Sequence, residues 1–178
     1  MFFLGNDYNS AFFRKGKKKC YNHMLAKDAF KSFFAKLGDG SEVNASMLAT
    51  AEEYVCAIYG LKKLKNVNKA RFMMFRKRLY SSGIIDLSAL PPCQSVLMLH
   101  LQRSSHVAEM WKGAKDAINP ARNIEQRGWL PNGEISWTDE VYPSDLQDIF
   151  EDVEEYDDDD AENETDSDES DEEDEDDE

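Results

Sequence analysis

Apolar residues recur at helical spacing along the first two thirds of this chain. Over residues 26–37 they return every three or four positions, and Gly38 follows as a residue that typically ends a helix. A second such stretch covers residues 47–59, with Ser46 as its expected N-terminal cap. A third covers residues 67–80, with basic residues around its polar side. The pattern predicts three amphipathic helices.

A fourth, longer helix is predicted after the proline pair 91–92, because proline is tolerated near a helix start and apolar residues then recur from Val96 to Ala114. His100 and His106 lie on it six residues apart, which is not the i, i+4 spacing of a helical metal-binding pair. We therefore expect packing or surface roles for both. The predicted core is Phe30, Phe33, Phe34, Leu37, Tyr54, Val55, Ile58, Val67, Met74, Phe75, Leu99 and Trp111.

The pattern changes at residues 128–143. Asn132-Gly133 lies between short segments that carry Trp129 and Trp137, and this arrangement favours a β-hairpin. Such a ribbon would serve as a lid over the helices or as a site for stacking nucleobases. The sequence thus predicts a mainly α protein: a small helical domain with a short β-hairpin near its C-terminal end.

Charge divides the chain into two unlike parts. The formal net charge is −15, yet residues 151–178 hold 21 of the 36 acidic residues and no lysine or arginine. The first 150 residues keep 15 acidic against 21 basic residues, or about +6. Because the acidic tail cannot bury apolar surface, we expect it to be disordered. Thr165 and Ser170 each have an acid three residues on, so both are candidate sites for acid-directed kinases.

Cysteine usage and hydropathy indicate an intracellular setting. Cys20, Cys56 and Cys93 show no paired spacing, which favours free thiols and gives no zinc site. No apolar run approaches the roughly 20 residues of a membrane span, and no secretory leader is readable. We expect a soluble protein without a cofactor or a membrane partner, nuclear rather than cytoplasmic.

Residues 4–25 bear the first motif with a possible chemistry. They read LGNDYNSAFFRKGKKKCYNHML, and by spacing they resemble the helix-three-turn-helix entrance of flap-endonuclease and XPG-type nucleases. The matching positions are Leu4, Gly5, Asp7, Tyr8, Gly16 and Lys18. The resemblance implies that Asp7 is a metal-ligand position and that the following turn holds the backbone of duplex DNA. Its implied phosphate-binding residues are Lys15, Gly16, Lys17, Lys18 and Lys19.

Two departures from that family argue against catalysis. Arg14 stands where the family has the first glycine of its turn. The family also needs several carboxylates, from a sheet that precedes the motif, to hold two divalent metals. One aspartate cannot do this, so we expect Asp7 to be a vestigial ligand and the chain not to be an enzyme. It would contribute to a metal-dependent nuclease only if a partner chain donated the missing carboxylates.

A second resemblance covers residues 6 to about 150. The stretches VCAIYGLKKLKNVNKARFMMF and LPPCQSVLMLHLQRSSHVAEMWK, followed by GW and GEISW, are similar to the C-terminal region of transposable-element-like, multi-copy invertebrate proteins. It implies that Met1 begins a shortened copy of a longer protein. It implies no function for this region.

These patterns divide the chain into a helix-three-turn-helix-like segment (1–40), a helical domain that ends in a tryptophan-bearing hairpin (41–150) and a disordered acidic tail (151–178). We expect a non-catalytic, nucleic-acid-binding remnant whose basic turn contacts duplex DNA and whose tail regulates it. The alternative is a protein-interaction role in which the tail binds histones or other basic proteins.

Overall fold

A computed structural model describes residues 2–6, 9, 11–82, 86–116, 124–137 and 148–149. These described residues form five α-helices: α1 (Lys17–Leu25), α2 (Asp28–Lys36), α3 (Ala45–Ile58), α4 (Val67–Ser82) and α5 (Gln94–Lys112). Short 3₁₀ turns cover Phe2–Leu4 and Leu87–Ala89. Within these described ranges no strand forms, which confirms the mainly α prediction.

Two helix starts differ from the prediction. Residues 26–37 do not form one helix, because Lys27 has extended backbone angles (φ −138°, ψ 127°) and α2 begins after it. The cap of α3 is Asn44 rather than Ser46: the Asn44 side chain accepts a hydrogen bond from the Met47 amide at 3.0 Å. A side-chain oxygen at that position satisfies one of the free amides of the first helical turn.

One hydrophobic cluster holds the helices together, and Phe3 lies at its centre. The Phe3 ring is fully buried and lies 5.0–6.0 Å, centroid to centroid, from five other rings. Those rings belong to Phe12, Phe33, Phe34, Tyr54 and His100. Residues from both predicted segments, 1–40 and 41–150, therefore share the same cluster.

Most of the predicted core is buried, but the ends of the two longest helices are not. Trp111 is 63% exposed, because it lies in the last turn of α5, beyond Ala108, the last α5 residue of the cluster. Leu79, near the end of α4, and Val96, in the first turn of α5, are also exposed. Helical spacing identified which face of each helix is buried. It did not identify which turns of that face have another element packed against them.

Within the described residues 124–137 the predicted hairpin is seen as a turn with one bridge, and residues 138–143 of the prediction lie outside the described residues. A single antiparallel bridge joins Trp129 and Ile135, and Gly133 takes the left-handed conformation that the turn requires (φ 86°). Trp129 packs its ring 5.3 Å from that of His106, whereas Trp137 is 80% exposed. Only one of the two tryptophans therefore covers the helices.

The long helix α5 gives the molecule two distinguishable ends. At its start, the Leu90 carbonyl lies near the Tyr59 hydroxyl, and the Pro91 carbonyl accepts a hydrogen bond from Arg71. Toward its end, Lys112 donates to the Ala35 carbonyl, and Gly38 lies so close to Ala108 that a Cβ there would clash at 2.4 Å. A helix of 19 residues separates these ends by about 27 Å.

Candidate nucleic-acid interface

The basic turn predicted from the sequence lies at the start of α1. Gly16 is the N-cap residue, and Lys17, Lys18 and Lys19 form the first helical turn with exposed side chains. That turn contains no acidic residue, and its N-cap residue is a glycine, which has no side chain with which to cap the helix. Unsatisfied amides at a helix start attract anions, and adjacent lysines strengthen the attraction.

The core fixes the position of the basic turn. Cys20, one helical turn after Gly16, is buried, and the Tyr54 hydroxyl donates a 2.8 Å hydrogen bond to the Cys20 carbonyl. Phe12 is buried on the other side of the turn, and its carbonyl accepts from the Lys15 amide at 3.1 Å. The lysines are therefore presented on a rigid support.

Arg14 has a backbone conformation that favours glycine. Its φ is 52°, in the left-handed region that non-glycine residues rarely enter. The chain therefore turns at this position as it would at a glycine, while the side chain adds a cation. The Arg14 guanidinium lies 5.1 Å from the centre of the Phe13 ring.

Lys15 connects the basic turn to the end of α3. Its ammonium group lies 4.7 Å from the centre of the Tyr59 ring, a cation–π contact. Burial raises the pKa of Tyr59 to about 12, and the positive charges of Arg71 and Arg78 oppose that rise. Both α4 arginines are therefore close to the ring on which Lys15 lies.

The charges of Arg14 and Arg78 both act on the Asp86 carboxylate. Hydrogen bonds from Ser88 are the main reason that the pKa of the Asp86 carboxyl is low, and Arg14 and Arg78 lower it further. The start of α1 and one side of α4 thus both contribute positive charges that act on Tyr59 or on the adjoining carboxylate of Asp86. We call this the basic surface: Arg14, Lys15, Lys17, Lys18, Lys19, Arg71 and Arg78.

The sequence identified α4 as a basic helix that favours nucleic-acid binding, but it did not identify which of its cations act beside the basic turn, nor the part of Tyr59. Arg71 and Arg78 are seven residues apart, so they share a face of α4, and that spacing was the available signal. Tyr59 was predicted only as the end of a helix. Its role depends on the packing of α1 and α4 against α3, which periodicity does not reveal.

The other candidate residues are placed as follows. Asp7 lies outside the described residues, and so do Thr165, Ser170 and the whole segment 151–178. Among the residues that the structure describes, no three His, Cys, Asp or Glu side chains cluster as metal ligands would. All three cysteines carry free thiols, with Cys20 and Cys56 buried. In the same described part of the chain, no helix has the length and apolar character needed to cross a membrane.

His100 and His106 are packing residues, as expected. The His100 ring contacts Phe3 and Phe12, and its Nε2 is 2.7 Å from the Phe3 carbonyl oxygen. The Asn9 side chain donates to the His100 carbonyl at 3.2 Å and to the Ser104 hydroxyl at 2.7 Å. These contacts fasten the segment before the basic turn to α5, a role that the sequence did not indicate.

No protein-family model, curated protein or solved structure matches this chain. The two family resemblances therefore remain predictions. Function has to be argued from the basic surface and from the distribution of charge.

Proposed function

We propose that this protein binds the phosphodiester backbone of duplex DNA through its basic surface, without cleaving it. The observation that carries the proposal is the meeting of two basic elements around Tyr59: the first turn of α1 with its lysines, and the arginines of α4. A single charged helix face is usually only solvated. Here a helix start with a glycine N-cap and no acidic residue in its first turn is accompanied by a second group of cations on α4.

This arrangement suits phosphate groups rather than base edges. Amides at a helix start, lysine ammonium groups and arginine guanidinium groups all bind phosphate oxygens, and such contacts carry no sequence information. Binding should therefore be indifferent to sequence and steeply dependent on salt. Duplex DNA as the ligand would also agree with a nuclear location.

A second function rests on the composition of the tail. Residues 151–178 form a polyanion with no lysine or arginine, which suits basic proteins such as histones. Ile149, two residues before this segment, is 1% exposed, so the chain is anchored to the body just before the tail begins. The two functions differ in the part of the chain that binds. The first predicts that residues 1–150 retain DNA, and the second predicts that residues 151–178 retain histones.

The location of the site can be tested by chemical-shift mapping. A 12-base-pair DNA duplex of arbitrary sequence is titrated into the isotopically labelled full chain at low salt. We expect the largest amide shifts at Lys17–Cys20 and near Arg71 and Arg78. Lys36 and Lys112, which lie toward the other end of α5, should shift little. Shifts spread evenly over all lysines, or centred away from the basic turn, would refute the proposed site.

A further inference from the structure

The end of α4 presents an exposed serine next to the basic surface. Ser81 lies in the last turn of the helix with an exposed side chain, whose hydroxyl is 3.3 Å from the Arg78 carbonyl oxygen. Its neighbours have few packing contacts to lose: Leu79 is 47% exposed and Tyr80 is 83% exposed. This turn can therefore unwind at low cost, because it buries little apolar surface.

The residues before Ser81 have the charge pattern that a class of kinases selects. The stretch Arg76-Lys77-Arg78-Leu79-Tyr80-Ser81 places arginines five and three residues before the hydroxyl. Serine kinases with carboxylates along the substrate groove prefer arginine at those two positions, because a guanidinium pairs with a carboxylate in two parallel hydrogen bonds. The adjacent Ser82 has its arginines at four and six residues instead, out of register with such a groove.

We propose that Ser81 is a phosphorylation site for an arginine-directed serine kinase and that its phosphate weakens the basic surface. In the reaction, the Ser81 hydroxyl oxygen attacks the γ-phosphorus of Mg-ATP. The bond from that phosphorus to the bridging oxygen breaks, ADP leaves, and a carboxylate of the kinase takes the hydroxyl proton. The last turn of α4 unwinds to enter the kinase in extended form.

The product would change the local charge in two ways. A phosphoserine carries a charge of about −1.5 to −2 at pH 7. Arg78 is three residues away on the same helix face, so its guanidinium can pair with the phosphate and is then withdrawn from DNA. The phosphate also lies at a helix C-terminus, where negative charge is unfavourable, so it should lower the stability of the last turn of α4.

The modification is tested on the folded full chain with a purified kinase that requires arginine at both positions, plus Mg-ATP. We expect tandem mass spectrometry to place one phosphate on Ser81. Ser81→Ala should abolish that phosphate, and Arg76→Ala, which leaves the serine intact, should slow its appearance at least tenfold. Ser32, an exposed helical serine without arginines before it, should remain unmodified. An acid-directed kinase should instead modify Thr165 or Ser170. An unmodified Ser81, or equal modification of Ser32, would overturn the assignment.

The effect on DNA rests on the proposed function and is measured separately by fluorescence anisotropy with a short duplex. Loss of about two charges should weaken binding about tenfold at moderate salt. Ser81→Asp should show part of the loss, and Ser32→Asp, on α2, should show less. If the unmodified chain fails to bind DNA, the proposed function falls, while the phosphate on Ser81 is judged by mass spectrometry alone. If the chain binds DNA equally well with and without phosphate on Ser81, the phosphate does not regulate the basic surface, and the proposed function is unaffected.

Discussion

The ammonium group of Lys15 lies 4.7 Å from the centre of the Tyr59 ring, and this contact joins the basic turn to the rest of the basic surface. Lys15 precedes α1, whereas Tyr59 is the C-cap residue of α3 and is 8% exposed. A cation–π contact of this kind contributes about 0.5–1 kcal/mol at an exposed site. Tyr59 therefore positions the Lys15 ammonium group while its ring fills the core.

Two substitutions at Tyr59 separate the ring from the hydroxyl. Tyr59→Phe keeps the ring face and loses only a long hydrogen bond of 3.5 Å to the Leu90 carbonyl. We expect it to bind DNA as the natural chain does. Tyr59→Leu should lower the free energy of unfolding by about 2 kcal/mol and weaken DNA binding about two- to fivefold. Urea denaturation and fluorescence anisotropy measure the two effects. A folded Tyr59→Leu chain that binds with full affinity would show that Lys15 needs no support from the ring.

Removal of residues 151–178 should tighten DNA binding. A flexible chain of 28 residues spans about 30 Å, comparable with the length of α5, and self-repulsion extends it further. Such tethering gives the tail an effective concentration on the order of millimolar, sufficient to compete with DNA for the lysines. The gain should be largest at low salt, where screening is weakest.

The matched variants are the full chain, the tail-less chain, and the tail-less chain with Lys15, Lys17, Lys18 and Lys19 changed to alanine. The quadruple change should cancel the gain, and phosphate on Thr165 or Ser170 should deepen inhibition in the full chain. Equal affinities for the full and tail-less chains would remove the regulatory role and favour the tail as a binder of basic proteins.

Stability should fall in acid because of His100. Burial lowers the pKa of this histidine to about 4, Arg103 lowers it further, and the contact with the Phe3 carbonyl opposes the shift. In the unfolded chain the ring binds a proton near pH 6.5, so between about pH 6.5 and 4 the unfolded state holds more protons. The free energy of unfolding should therefore drop by about 3 kcal/mol over that window from this group alone.

The measurement compares urea denaturation of the natural chain and of His100→Gln at several pH values. The glutamine variant should be less stable at pH 7, because it loses ring contacts with Phe3 and Phe12. Its stability should also change less between pH 7 and pH 4. Parallel pH profiles for the two proteins would show that His100 does not carry the acid sensitivity.

The helices were predictable because their apolar spacing and terminal glycines are local signals. Gly38 and Gly60, for example, both take left-handed angles just after helices end, as the sequence suggested. The sequence did not predict Phe3 as a core residue, because its three-residue turn is too short to show a periodic spacing of apolar positions. Its burial depends on rings that come from α2, α3 and α5, far along the chain. Local signals identify elements, but they do not identify a residue whose partners are all distant.

In the candidate site, too, some residues could be identified from local sequence and others only from the packing of the helices. The lysines of residues 15–19 are adjacent in sequence and were found directly. Arg71 and Arg78 reach the same surface only because α4 packs against α3. Arg14 shows the opposite limit: an arginine does not by itself predict left-handed backbone angles, yet its φ is 52°. Residue identity alone does not decide a backbone conformation that the surrounding packing enforces.

The purified chain should not cleave flap, duplex or single-stranded DNA in the presence of magnesium or manganese. The reason is that Asp7 is a single carboxylate in its motif, and a two-metal mechanism requires several. Gel assays with end-labelled substrates measure this directly, with Asp7→Ala as the control. Cleavage that disappears in Asp7→Ala would restore the nuclease hypothesis.

The most direct test of the account is the salt dependence of duplex binding by two double variants of the tail-less chain. Lys17→Ala with Lys18→Ala removes two cations from the first turn of α1, and Lys36→Ala with Lys115→Ala removes two exposed cations toward the other end of α5. Each phosphate contact contributes about 0.9 to the slope of log affinity against log salt. We expect the slope to become shallower by about 2 for the first pair and to stay unchanged for the second. Equal slopes for the two variants would contradict the claim that the basic surface is the site of DNA binding.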